Sequence, residues 1–272
     1  MTRLKAFWIH IAISLSIFTC LLYLIVFHWY PSPFFSTDGG WQGLRLIAAV
    51  DIVLGPVLTL VIYNPKKAQN KRRMDLSIIG VIQMAALMSG SWVVYSEHPV
   101  AKVIVDGIVI PVSAKGLASS GMKLDELEKF GSSNTMTIYS DLPDDLDSMQ
   151  KIRIKSIQQN QPLALNTNLY KKIDAAIIKK LPLFSIDMEK YLSGKDKEMM
   201  VYRKFLAQQD KPASDFLFLP IHSRYNYTIA VLDKKTAEFI DVLTKIPSPQ
   251  TEKIDKLRMF KRKYIPMSEE KN

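Results

Sequence analysis

Three apolar stretches in the first 98 residues, Ala6 to Trp29, Leu44 to Tyr63 and Met74 to Tyr95, constrain this chain more than any other feature. Each is long enough to cross a hydrocarbon core of about 30 Å at about 1.5 Å per residue. The loops between them differ sharply. Asn64 to Arg73 carries Lys66, Lys67, Lys71, Arg72 and Arg73, and Arg3 and Lys5 precede the first stretch, whereas Pro31 to Gly43 has Asp38 and no Lys or Arg. Basic residues in short loops stay cytoplasmic. The chain is therefore expected to start inside, cross three times, and display everything from about Pro99 onward outside. Trp29, Tyr30, Trp41, Trp92 and Tyr95 fall at matching outer depths, where an interfacial aromatic belt belongs. The first stretch reads as a retained anchor. Its apolar part exceeds a signal-peptide core, and Phe27-His28-Trp29-Tyr30-Pro31 offers no small-x-small cleavage site.

Polar residues inside these stretches are the most informative candidates for a site. Asp51 lies about 10 Å along the second helix from Leu44, too deep to reach water easily. A carboxylate there costs on the order of 2.5 to 3.5 kcal/mol on insertion scales, so it should face another helix. Gly55 and Thr59 follow it at i+4 and i+8, and Pro56 interrupts the helical hydrogen bonding beside them. In the third stretch Gln83, Ala86 and Gly90 share a small and polar face of the kind that membrane helices use for close contact. Asp51, Gly55, Pro56, Thr59, Gln83 and Gly90 are thus expected either to join this chain's own helices or to receive a helix from a partner.

Residues 99–272 are long enough to bury a core of their own. Strands are expected at Ala101 to Val105 and Ile108 to Val112, joined by Asp106-Gly107, the strongest hairpin signal in the chain. Further strands are expected at Thr135 to Tyr139, Phe216 to Ile221, Tyr225 to Leu232 and Ala237 to Leu243. Helices are expected at Leu124 to Phe130, at a segment opened by Pro143, Asp144 and Asp145 that runs to about Gln159 with a partial apolar stripe of Leu146, Met149, Ile152 and Ile157, at Leu169 to Leu181, in Met199 to Gln209, and around Glu252 to Lys263. The chain so divides into a transmembrane domain, 1–98, and a single α+β domain, 99–272.

A net charge of +10 invites a nucleic-acid reading, but no basic block stands outside the 64–73 loop, and affinity for phosphate backbones needs clustered cations. One cysteine, Cys20, excludes an intramolecular disulfide. His10 and His28 lie in or beside the spans, and His98 and His222 lie far apart without partner ligands, so neither a metal nor a cofactor is expected. Asp141, Asp144, Asp145 and Asp147 lack the glycine and terminal glutamate of a calcium loop and read as helix-start chemistry. His222 and Arg224, between two strands, could touch an anion but read as turn residues. No hydrolase, zinc-protease or phosphate-loop motif is present, and the chain is not expected to be an enzyme.

At several of these residues the chain resembles a family. Lys5-Ala6-Phe7, the helix of His10, Trp29-Tyr30-Pro31, Asp51 to Thr59, Asn64-Pro65-Lys66-Lys67, Asp75-Leu76, and Gln83 to Leu87 with Gly90 are similar to the type IV pilin accessory proteins of the TfpX/TfpZ type. The likeness is dense over residues 3 to about 100, looser beyond. It implies a multi-pass protein of the bacterial inner membrane with a periplasmic C-terminal domain, and the major pilin subunit, with the pilus assembly machinery, as partners. It carries no catalytic residues over. The alternatives weighed against it are a membrane enzyme modifying pilin or an envelope glycan, and a sensor. The first lacks the many spans and long acidic outer loop usual for such enzymes, and the second lacks any inner output domain.

Overall fold

The computed structural model describes residues 2–131 and 135–249. It divides into two compact units, Met1–Pro99 with Ser113–Lys115, and Val100–Val112 with Gly116–Asn272. The short return of the chain to the first unit is held by the Ala114 amide, which donates to the His98 carbonyl (3.0 Å), and by Lys115 paired with Glu97 (3.1 Å).

The first unit is built on three helices long and apolar enough to cross a membrane, Arg3–Trp29, Gly40–Ile62 and Gln69–Ser96. Each begins before its apolar stretch for a local reason. The Thr2 hydroxyl caps the first by accepting from the Lys5 amide (3.2 Å), and Gly39, at φ 106, turns the chain into the second. Lys71, Arg72 and Arg73 are good helix formers that continue the third beyond its apolar part. The second helix widens to a π-helix over Ala49–Leu54. Pro56 explains this: it has no amide to donate, and its ring crowds the carbonyl of residue 52 in an α-helix, so a wider turn relieves both. Toward one end of the bundle, Ile25, Tyr30, Phe34, Leu44, Ile47, Leu87 and Val94 form an apolar cluster. Gly43 permits it, because a Cβ at that position would lie 2.6 Å from Val94 Cγ2.

The second unit is an α+β domain around a seven-stranded mixed sheet, ordered β4-β3-β1-β2-β5-β6-β7. Its strands are β1 (Pro99–Val105), β2 (Ile108–Ser113), β3 (Met136–Ser140), β4 (Tyr170–Lys171), β5 (Phe216–His222), β6 (Tyr227–Asp233) and β7 (Phe239–Leu243). Asp106 and Gly107, at φ 51 and 71, make the tight turn expected between β1 and β2. β1 pairs with β3, and β2 with β5, in parallel; β5, β6 and β7 run antiparallel. Both faces of β5 are covered. Leu217, Leu219 and Ile221 join one apolar cluster with Ile177 and Leu181, while Phe216 and Phe218 join a second with Met188, Leu192, Tyr202 and Phe205. That is why its sequence reads as a continuous apolar run rather than an alternation.

Several local expectations are corrected. The helix expected from Leu169 begins only at Ala175, because the Asp174 carboxylate caps the Ala176 and Ile177 amides (2.9 Å each), leaving Tyr170–Lys171 to pair with β3. β6 begins at Tyr227, since the Ser223 amide bonds back to the Asn226 carbonyl and turns the chain there. β7 begins at Phe239, because Ala237 sits at φ 56 with its amide bonded to the Asp233 carbonyl. Leu124–Phe130 is a 3-10 helix. The helix Leu146–Gln158 is capped by Asp145, as its acids suggest, but its apolar residues do not enter a core: Leu146 is 61% and Ile157 79% exposed. The helix expected around Glu252 to Lys263 lies outside the described residues.

Candidate functional site

A chain whose spans turn mainly hydrocarbon outward can specify how they meet by hydrogen bonding inward, and this bundle does so most densely around Asp51, besides the Tyr30 hydroxyl that donates to the Val94 carbonyl (3.0 Å). His10 and Ser14 lie one turn apart on the first helix, Asp51 in the π-helical turn of the second with Thr59 two turns on, and Gln83 on the third. The His10 ring joins the other two helices, with Nε2 2.7 Å from Gln83 Oε1 and Nδ1 2.5 Å from Thr59 Oγ1. Because an amide oxygen can only accept, Nε2 donates to it. The amide of Gln83 then donates through Nε2 to Asp51 Oδ1 (2.5 Å), with the Asp51 carbonyl (3.2 Å) and Ser14 Oγ (3.3 Å) also within reach. Ser14 Oγ donates to the same Asp51 Oδ1 (3.2 Å). Ser14, Asp51 and Thr59 are almost fully enclosed.

Gly55 makes this arrangement possible. A Cβ on it would lie 2.3 Å from Gln83 Oε1 and 2.4 Å from Gln83 Nε2, in the space the amide needs to reach both His10 and Asp51. Pro56 is buried beside it and sets the wide turn that carries Asp51. Of the residues singled out from sequence, Asp51, Gly55, Thr59 and Gln83 therefore meet in one network, with Pro56 shaping it. Gly90 does not join them; a Cβ there would meet only Ile47 Cγ1, at 3.8 Å. His10 and Ser14 complete the network and were not among the candidates, although two polar residues at i and i+4 in an otherwise apolar run were the available signal. In the basic loop region, Lys67 pairs with Asp75 (2.5 Å), and Arg72 donates to the Pro65 carbonyl (3.3 Å) and lies over the Tyr63 ring. Lys66, Lys71 and Arg73 are exposed.

The second unit offers weaker candidates. Asp141 is paired with Lys171 (2.5 Å) and Asp145 is the cap of its helix. Burial pushes the His222 imidazole below its ordinary value, the opposite of what a neighbouring anion would do. Its ring meets Tyr227 edge-on at 4.8 Å.

No family profile and no solved structure matches the chain. Relatives do. Over 120 residues, 44% of this chain, it is 36% identical to the fimbrial assembly protein of serogroups C1 and C2 from Dichelobacter nodosus and covers 87% of that protein. It is 36% identical over 119 residues to the fimbrial assembly protein of serogroup I and 35% identical over 120 residues to that of serogroup E1, both from Dichelobacter nodosus, and covers 44% of each. The match thus spans less than half the length of these two relatives. Fold and network define a helical bundle of membrane-crossing length, pinned by internal hydrogen bonds and followed by an α+β domain. The chain belongs to the family of fimbrial assembly proteins.

Proposed function

We propose that this chain is a multi-pass inner-membrane accessory factor for the biogenesis of type IV pili, and that it works without catalysis by binding the pilin subunit and modulating its stability or assembly. The observation that carries the reading is the likeness to proteins named for fimbrial assembly. The resemblance of residues 3 to about 100 to pilin accessory proteins points the same way. In this reading the basic residues Lys66, Lys67, Lys71, Arg72 and Arg73 hold their loop in the cytosol, the amino end lies there too, and the α+β domain stands in the periplasm. The bundle meets the membrane helix of the pilin while the α+β domain meets its head. Two weak contacts on one chain suffice, because the second becomes intramolecular once the first has formed.

Deletion of the chain, with complementation by the native sequence, tests this through two readouts taken together: pilin in the membrane fraction and pili on the surface. Loss of pili with normal membrane pilin assigns the factor to assembly, and loss of both assigns it to subunit stability. Unchanged piliation sinks the proposal. A reporter fused to the carboxyl end and active only in the cytosol sinks its topological half.

A further inference from the structure

The intramembrane network leaves one polar atom over. Oδ1 of Asp51 accepts from Ser14 and Gln83, but Oδ2 has no hydrogen-bond partner among the described residues, although Asp51 is only 2% exposed. An enclosed carboxylate oxygen without a donor is costly, and the cost is relieved when a donor reaches it. The fold supplies an approach. A cleft of about 120 Å³ is lined by Ile13 and Ser14 of the first helix, Asp51 of the second, and Gly80, Gln83 and Met84 of the third. Ile13 and Met84 are exposed at its edge, and a Cβ on the exposed Gly80 would meet nothing within 4 Å. The cleft therefore opens on the apolar outer surface of the bundle and has Asp51 in its lining. Ligand pockets run from about 300 Å³ upward, so this one suits the head of a single side chain.

We infer that the cleft is the docking point for a transmembrane helix of a partner protein that presents one hydrogen-bond donor, such as a hydroxyl or an ammonium, at the depth of Asp51. Complementarity names the occupant: Asp51, which keeps one acceptor oxygen without a donor, lines a passage whose mouth is hydrocarbon. Arg45, the nearest cation along the second helix, is stacked on Trp41 at 4.8 Å. Gly80 lets a second backbone come close, as small residues do at helix contacts in membranes. The inference rests on the pilus-assembly reading only for the partner's identity, since the chemistry of the cleft is the same for any helix carrying a donor.

The test uses the full chain in lipid nanodiscs and a leucine-alanine transmembrane peptide carrying one central lysine, with the all-apolar peptide as control and association read by fluorescence energy transfer. The lysine peptide should associate about tenfold more tightly, the scale of one hydrogen bond between membrane helices. Asp51→Asn should abolish that preference. Gln83 Nε2 requires an acceptor where Oδ1 stands, so the new amide must turn its NH₂ toward the cleft and meet the ammonium donor to donor. Gly80→Leu, which fills the mouth without touching the network, should abolish the preference while leaving the melting temperature unchanged. Equal association of both peptides with the native chain, as when water alone satisfies Oδ2, overturns the inference; so does a preference that survives both variants. In cells, a photocrosslinker at Met84 that captures pilin, with none captured from Val61 on the second helix, supports the cleft as the pilin contact. Capture of pilin only from Val61 overturns the cleft and leaves the accessory role standing. Capture from neither, with the peptide preference intact, leaves the cleft and removes pilin as the partner of the bundle.

Discussion

Asp51 and Leu219 hold comparable places in the two units: each is almost fully enclosed, at 2% and 0% exposure, yet one is a carboxylate and the other an aliphatic side chain. The α+β domain buries Leu217, Leu219, Ile229, Val231 and Leu232 and leaves charges such as Lys171 and Lys211 to water at its rim. The bundle has an apolar cluster too, around Ile25 and Ile47, but at the level of Asp51 it reverses this arrangement. Val61, Val81, Met88 and Trp92 are outside, while Ser14, Asp51 and Thr59 are inside. Removing apolar area from water drives folding of the first kind. Lipid gives no such reward, so helices in it are specified by packing and by hydrogen bonds that have no better partner outside. Around Asp51 burial thus means polar contact, where in the β5 layer it means apolar packing, and each predicts a different set of damaging substitutions.

The largest effect belongs to the apolar core. Leu219→Ala should lower the unfolding free energy of the second unit by about 2 to 5 kcal/mol, because it leaves a cavity in a layer closed on all sides. Denaturant titration followed by tryptophan-independent circular dichroism in the sheet region checks it. A loss below about 1 kcal/mol would mean that the β5 layer is loosely packed, and the contrast with the bundle would weaken.

Lys102 is a buried cation inside the apolar unit and sharpens the comparison next. It lies in β1, buried, with Nζ donating to the Thr135 carbonyl (2.7 Å) and lying 4.8 Å from the Phe239 ring centre. Burial lowers its pKa from the ordinary 10.5 to about 8. Between these values the unfolded chain holds the proton that the folded chain has released, so stability should rise as pH goes from about 8 to 10.5. Below pH 8 both states are protonated and the folded one bears the full cost of an enclosed cation. Lys102→Met should flatten that slope and stabilise the protein near pH 7 by about 2 kcal/mol, the relieved cost less the hydrogen bond lost at Thr135. A slope unchanged in the variant would show that another group titrates.

In the bundle the sensitive position is a glycine. Gly55→Ala should cost about 1 kcal/mol, the scale of hydrogen bonds between membrane helices, by driving the Gln83 amide away from His10 and Asp51. Its melting temperature in detergent should fall. Gln83→Leu should fall similarly, and the double variant should cost less than the two singles added, since both disable one network. Full additivity would show that Gly55 matters for some contact other than Gln83.

The division into bundle and α+β domain is legible because it rests on long patterns: three apolar runs, and strands marked by alternation or by a turn as specific as Asp106-Gly107. The errors fall where one side chain overrides a pattern. The periodicity of Leu169 to Leu181 suggests a helix, but the Asp174 carboxylate starts it six residues later. The apolar positions of Leu146–Gln158 suggest a buried face, and no spacing can tell that the sheet is covered by other elements instead. Within the site, Asp51, Gly55 and Thr59 are read together from i+4 spacing on one helix. That Gln83 reaches them, and that His10 ties Gln83 to Thr59, depends on how three helices face one another, which single-helix periodicity does not encode.

The smallest expected effect gives the comparison its control. Val61 is 69% exposed on the second helix, as exposed as a surface residue of the α+β domain, yet it is apolar and borders other exposed apolar residues, Val57 and Leu58 among them. In water such a patch would be a liability; against lipid it is the ordinary surface. Val61→Ala should then change stability by no more than about 0.5 kcal/mol, since the removed methyls leave protein contacts few and lipid chains fill the space. Thermal unfolding in nanodiscs reads this directly against Gly55→Ala in the same helix. A cost for Val61→Ala equal to that of Leu219→Ala would place Val61 in a packed interior, and the outer face of the second helix would then be a protein contact.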